Sequence, residues 1–227
     1  MRVAPFTGVR ATALTPFHYR SLATQGGVAT IPNVLADRSM SYALAGAMGA
    51  LRATVTLPEK DYLRDLSAMP WLCSVFETAE PRLLPPLAKR LNLEEEGGYG
   101  AAIQGATGSG NLKTYYFVQE VPAEVVYRGV IFGPDPFAMA READPGRPDR
   151  IIVRIGRHRG GLLLLEPDPD VSEARLNAHT AHLFGAHPED DPEMGVEEFA
   201  LYDMQLTGLK PVLDAARIVG SWRGFDA

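Results

Sequence analysis

Cysteine is almost absent from this chain of 227 residues. The single Cys73 cannot close an intramolecular disulfide, and a cysteine-rich zinc site is excluded with it. Long apolar runs are missing too. No stretch approaches the roughly twenty apolar residues that span a bilayer. Met1–Thr15 lacks the charged start, apolar run and cleavage site of a secretory leader. A soluble cytoplasmic protein with no membrane partner is therefore expected.

Positive charge is in short supply: 22 Lys and Arg stand against 28 Asp and Glu, a net charge of −6. That excludes a protein that coats nucleic acid in bulk. Contact with a phosphate backbone needs only local positive charge, however, so distribution matters more than the total. Acidic residues crowd into Glu94–Glu96, Asp168–Glu173 and Glu189–Glu198, whereas basic residues gather at Arg147–Arg159. One basic face on an otherwise acidic molecule is the expectation.

Two catalytic signatures are also wanting. Gly105–Gly110 has the glycine spacing of a phosphate-binding loop, but Asn111 and Leu112 come before Lys113-Thr114. In such a loop the lysine follows the second glycine directly and a helix N-terminus holds the phosphates. Here the segment leads into a strand, so no NTPase is expected. No Gly-x-Ser-x-Gly elbow occurs, and Cys73 lies in an apolar segment, where a thiol behaves as a small core side chain.

What is present is enough apolar residue, 46%, to fill one large domain. Alternation and β-branched or aromatic content predict strands over Val9–Leu14, Ala53–Leu57, Trp71–Phe76, Lys113–Val121, Glu124–Phe132, Arg150–Ile155 and Gly161–Glu166, with a strand-like segment from Phe199 onward. The strands over 113–121 and 124–132 are expected to form a hairpin. Helical spacing predicts helices near Arg38–Leu51, with Asp37 as N-cap, and near Asp135–Glu142 and Val171–Leu183, with an amphipathic turn around Asp61–Leu66. Thr15–Asn33 is rich in turn formers and is expected to be a loop. Ala79–Asn111 holds three prolines, an acidic triplet and six glycines, and it is expected to be a mobile insertion. Interleaved helices and strands make the class α+β.

Three groups of residues could carry chemistry. His179 and His182 share a helix face at i, i+3, and His187 and Asp190 could complete a metal-ligand set; the competing reading is surface histidines beside an acidic loop. His18, Tyr19 and Arg20 could act in proton transfer on RNA, or stack on bases and hold phosphate without chemistry. The third group is Arg154-Ile155-Gly156-Arg157-His158-Arg159-Gly160-Gly161. Its guanidinium groups suit phosphate oxygens. Its glycines permit close backbone approach to a ligand, and four leucines, Leu162–Leu165, would anchor it as a strand. The competing reading is a solvated basic turn.

In order along the chain, these motifs resemble the RAMP superfamily of CRISPR-associated proteins, in particular the Cas-five family. The likeness rests on Leu14-Thr15-Pro16-Phe17-His18-Tyr19-Arg20 with Ile31-Pro32-Asn33, and on Ser39-Met40-Ser41-Tyr42-Ala43-Leu44-Ala45-Gly46, which is similar to the first helix of the small type I-D member. The turn Arg154–Gly161, before a late strand, completes it. The resemblance implies a ferredoxin-like (RRM-like) fold with a thumb at about 79–111. It also implies binding of the 5′ handle of guide RNA through His18, Tyr19, Arg20, Lys113, Arg154, Arg157, His158 and Arg159. The partners it implies are backbone and large subunits of an antiviral ribonucleoprotein, with target DNA inside the complex. The C-terminal glycine motif of the guide-processing relatives is missing, as is a secure Tyr-Lys-His constellation, so neither catalytic residues nor a cofactor or metal is expected. Two alternatives stay open: a metal-independent endoribonuclease using His18 or His158, and a metal-dependent small-molecule enzyme using His179 and His182.

Overall fold

The computed structural model describes residues 3–222 apart from 20, 25–26, 51–60, 91–114, 147–148, 157–159, 191–193, 199 and 202. In chain order its first half comprises β1 (Phe6–Ala13), β2 (Ser21–Thr24), β3 (Gly27–Thr30), β4 (Val34–Leu35), α1 (Asp37–Ala47), α2 (Tyr62–Ala68), β5 (Leu72–Cys73), β6 (Phe76–Glu77) and β7 (Leu87–Arg90). The second half comprises β8 (Tyr115–Gln119), β9 (Val126–Phe132), α3 (Pro136–Ala143), β10 (Ile151–Ile155), β11 (Gly161–Pro167), β12 (Glu173–Ala174) and α4 (Ala178–Leu183). A 3-10 turn (Pro188–Asp190), β13 (Ala200–Leu201), β14 (Met204–Gln205), β15 (Lys210–Pro211) and α5 (Val212–Trp222) follow. The result is a mixed α/β protein with five described helices.

The main sheet runs β10-β11-β1-β9-β6-β4, with β5 also paired to β9. Every pairing in it is antiparallel. β1 is central, with Arg10 opposite Glu166 on one side and Arg128 on the other. Strand residues alternate between faces. Val9, Ala11 and Ala13 thus join Tyr127, Ile151, Val153, Leu163 and Leu165 in one buried cluster that receives Met40 and Leu44 of α1. Helix α1 lies against both β10 and β5, which requires the sheet to curl around it. Val130 and Phe132 point the other way and pack with Leu66 of α2 and Ala215, Ala216 and Val219 of α5.

A second sheet, β2-β3-β8-β7, takes in segments that the sequence leaves irregular. Within 15–33, expected to be a loop, β2 and β3 form an antiparallel hairpin, and β3 runs parallel to β8. Strand β7 falls inside the expected insertion and pairs with β8; residues 91–111 of that segment lie outside the described residues, as does the strand expected over 53–57. The hairpin expected between 113–121 and 124–132 does not form, because β8 and β9 belong to different sheets. Phe17 pairs with Val121, the Glu124 amide donates to the Ala13 carbonyl, and Glu124 takes a φ of 68°. The chain therefore crosses from sheet to sheet where a tight reversal was expected.

Other boundaries shift for local reasons. Ala36, not Asp37, is the N-cap of α1; Asp37 sits inside the first turn and is buried. Asp61 and Asp135 cap α2 and α3 through their side chains, and Pro136 fits the first turn of α3, where no amide partner is lost. The helix expected over 171–183 is confined to α4, because Glu173 and Ala174 pair instead with β15. The segment expected to be strand-like from 199 onward ends in helix α5, with Val212, Ala215, Ala216 and Val219 on its buried face. No helix among the described residues is long and apolar enough to cross a membrane.

Candidate nucleic-acid interface

The hairpin β10–β11 closes at the pair Ile155–Gly161, which frames the basic turn. Gly156 has φ 86°, a left-handed conformation that costs an L side chain about 1–2 kcal/mol. A Cβ there would stand 2.9 Å from the His18 carbonyl oxygen. At Gly161 it would meet the Ile155 oxygen at 2.5 Å and the Phe17 Cβ at 2.8 Å. Both glycines are thus required by close packing on the Phe17–His18 backbone. Thr15 fastens the same junction: its hydroxyl donates to the Gly160 carbonyl at 2.8 Å and accepts from the Leu162 amide at 3.0 Å. Two motifs 145 positions apart in sequence meet there.

Arg154 lies on the solvent face of β10, opposite Leu162, with no ion pair among the described residues. Arg20, Lys113, Arg157, His158 and Arg159 lie outside the described residues. The structure places His18 and Tyr19 inward. His18 is buried, with Nδ1 3.7 Å from Glu120 Oε1. Tyr19 accepts from the Ala36 amide at 3.0 Å and donates to Ser39 Oγ at 2.9 Å, which ties the junction to the start of α1. With 6% and 7% of their surfaces exposed, these rings hold the framework together and present little open face to a base.

Beside the turn, the outward face of the sheet carries residues that the sequence motifs did not single out. Arg10 and Arg150 both bind Glu166, at 2.8 and 3.0 Å, and Arg128 binds Asp168 at 3.0 Å. Hydrogen bonding from Arg10 is the main reason that the Glu166 carboxyl is held below its usual range; burial opposes it, and the charge of Arg10 with the hydrogen bond and charge of Arg150 add to the lowering. With Arg154, four arginines stand beside Glu166 and Asp168, while Glu77, opposite Arg128 in register, is bound by Arg175. The signal was present in the alternation of β1, β9 and β10, where Arg10, Arg128 and Arg154 fall at outward positions. It is dispersed over the 144 positions from Arg10 to Arg154 and therefore forms no motif.

A second cluster closes around the end of α4. The set expected from sequence was His179, His182, His187 and Asp190. The donors that converge are His182, His187 and Glu189, all within 4.8 Å of one another. His182 Nε2 is 2.6 Å from Glu189 Oε2, and His187 Nδ1 is 3.3 Å from Glu189 Oε1. The hydrogen bond to His182 is the main reason that the Glu189 carboxyl is held down to about 2. Asp190 is displaced from the set because the 3-10 turn presents its neighbour.

Cys73 is a small core residue, as expected from the sequence. The thiol is buried and pushed up to about 12 by that burial. Nearby, the buried Asp37 carboxylate accepts from Asn177 Nδ2 at 2.8 Å and from the Thr180 hydroxyl. Arg38 donates to Thr180 Oγ1 at 3.0 Å and to Asp203 Oδ2 at 3.3 Å. This network joins α1 to α4 and to Asp203, the residue before β14.

No family model matches the chain, and no curated protein matches it. Among solved structures, it is similar to a chain of the type III-B Cmr-beta complex bound to cognate target RNA and AMPPnP, with 15% identity and a TM-score of 0.44, over 90% of this chain and 84% of that one. It is also similar to a chain of a type IV-B CRISPR complex, with 10% identity and a TM-score of 0.41, over 74% of this chain and 92% of that one.

Proposed function

We propose that this protein is a non-catalytic RNA-binding subunit of a CRISPR effector ribonucleoprotein, a RAMP protein of the Cas-five kind that holds the 5′ handle of guide RNA. The observation that carries the reading is the seating of the basic turn on the Phe17–His18 segment. Two of the three motifs that carry the family resemblance meet there, and they leave Arg154 open beside the outward arginines Arg10, Arg128 and Arg150. Phosphate contacts fix the position of a nucleic acid without reading its sequence, which suits a constant handle. Arg154, Arg157 and Arg159 are the phosphate ligands in this reading, with Arg20, Lys113 and His158 on adjoining handle nucleotides. His18 and Tyr19 shape the seat. The thumb is the segment at about 79–111, the acidic surfaces face the backbone and large subunits, and target DNA is met only inside the assembled complex, in the cytoplasm.

The test is the salt dependence of handle-RNA binding. Each phosphate contact on a single strand contributes about 0.7 to the slope of log K against log salt. Replacing Arg154, Arg157 and Arg159 by alanine should therefore flatten that slope by about 2 and weaken binding at least about tenfold at moderate salt. An unchanged affinity and slope would remove the turn from the interface. The endoribonuclease alternative needs an imidazole within hydrogen-bond reach of a ribose hydroxyl. Cleavage of a repeat RNA by the purified chain, abolished in His18→Ala or His158→Ala, would establish it in place of the binding role.

A further inference from the structure

We propose that His182, His187 and Glu189 form a three-donor site for a divalent transition-metal ion, zinc by the chemistry of its ligands, that ties the end of α4 to the turn after it. The inference is independent of the RNA-binding reading. Two imidazole nitrogens and one carboxylate oxygen are borderline donors of the kind that suit zinc, in place of the all-oxygen sets of magnesium or calcium. With bonds of about 2.0–2.2 Å, donors of a tetrahedral zinc site stand about 3.3 Å apart. His187 Nδ1 and Glu189 Oε1 already have that spacing at 3.3 Å, and His182 Nε2 needs to move out from its present 2.6 Å contact with Glu189 Oε2.

The backbone holds the three donors without help from a metal. The Gly185 amide donates to the His182 carbonyl at 3.0 Å, the Ala186 amide to Ala181 at 3.1 Å and the Asp190 amide to His187 at 3.1 Å. Gly185, at φ 74°, makes the reversal between helix and turn. A carboxylate gripped by two imidazoles is an arrangement in which one metal ion replaces both hydrogen bonds at once. His187 and Glu189 are exposed, with 64% and 47% of their side-chain surface open, so a water has room for the fourth position. His179 lies outside the set: its ring centre is 6.2 Å from that of His182, and it does not join the converging donors.

The experiment is calorimetric titration of the untagged, chelator-stripped full chain with zinc chloride. One equivalent should bind saturably, with a dissociation constant on the order of micromolar. His187→Ala, and separately Glu189→Gln, should weaken it at least about tenfold. His179→Ala and Asp190→Asn should bind as the parent does. His182→Ala should behave as His187→Ala; if it fails to fold, His187→Ala and Glu189→Gln carry the test, since both positions follow the helix. Cobalt(II) in place of zinc should give the visible absorption of a four-coordinate site. No saturable binding, or equal loss in the His179 and His187 variants, would overturn the assignment.

Discussion

Asp37 and Tyr19 show what a polar side chain becomes once it is buried. Burial raises the Asp37 carboxyl above its ordinary value, opposed first by hydrogen bonds from Thr180 and Asn177 and then by the charge of Arg38. The native state then keeps a proton that the unfolded chain releases above about pH 4. The stability Asp37 contributes is full below that pH and is lost as pH rises through its raised native value. Urea unfolding between about pH 4 and 8 should show the difference between Asp37→Asn and the parent moving in favour of the variant as pH rises. A difference that moves toward the parent would mean the charged carboxylate is the favoured native form. From sequence, Asp37 reads as a helix cap and Tyr19 as an RNA contact. Both residue types suit those roles at a surface, and burial depends on elements folded from elsewhere in the chain. Asp37 meets Asn177 140 positions away.

At the scale of elements, the hairpin β10–β11 was legible because its strands are apolar and its glycines stand at the turn. The faces of the four leucines were not, since an unbroken apolar run carries no period. Register decides them: Leu163 and Leu165 pack in the core, while Leu162 and Leu164 are half-buried on the outward face. Leu163→Ala should accordingly cost about 2–5 kcal/mol of stability, and Leu164→Ala less than about 1 kcal/mol. Equal costs in denaturant unfolding would refute the register. The partnership of β8 with β3 was hidden for a related reason. Parallel pairing leaves no local turn signal, whereas the short link from 121 to 125 looks like one. Helix α5 did carry its helical spacing. The candidate interface was half legible: the turn stood out as a motif, while the seat beneath it required Gly156 and Gly161 to meet Phe17 and His18 in three dimensions.

For the molecule as a whole, the central place of β1 sets a condition on assembly. Its two partners, β9 and β11, end at Phe132 and Pro167, so no shorter chain can satisfy both edges of the strand. A fragment ending before β11 leaves a row of open amides and carbonyls on β1, the kind of edge that recruits other chains. Expressed as residues 1–150, the protein should be found in the insoluble fraction, whereas a chain that runs on through α5 should be soluble. Comparable solubility of the two would show that the strand is not held from both sides. The same geometry governs birth on the ribosome. At about 5–20 residues per second, the first strand waits roughly 10–30 s for the last of its neighbours to be made. During that interval it depends on helper proteins or on its own brevity, eight residues, to escape the wrong company.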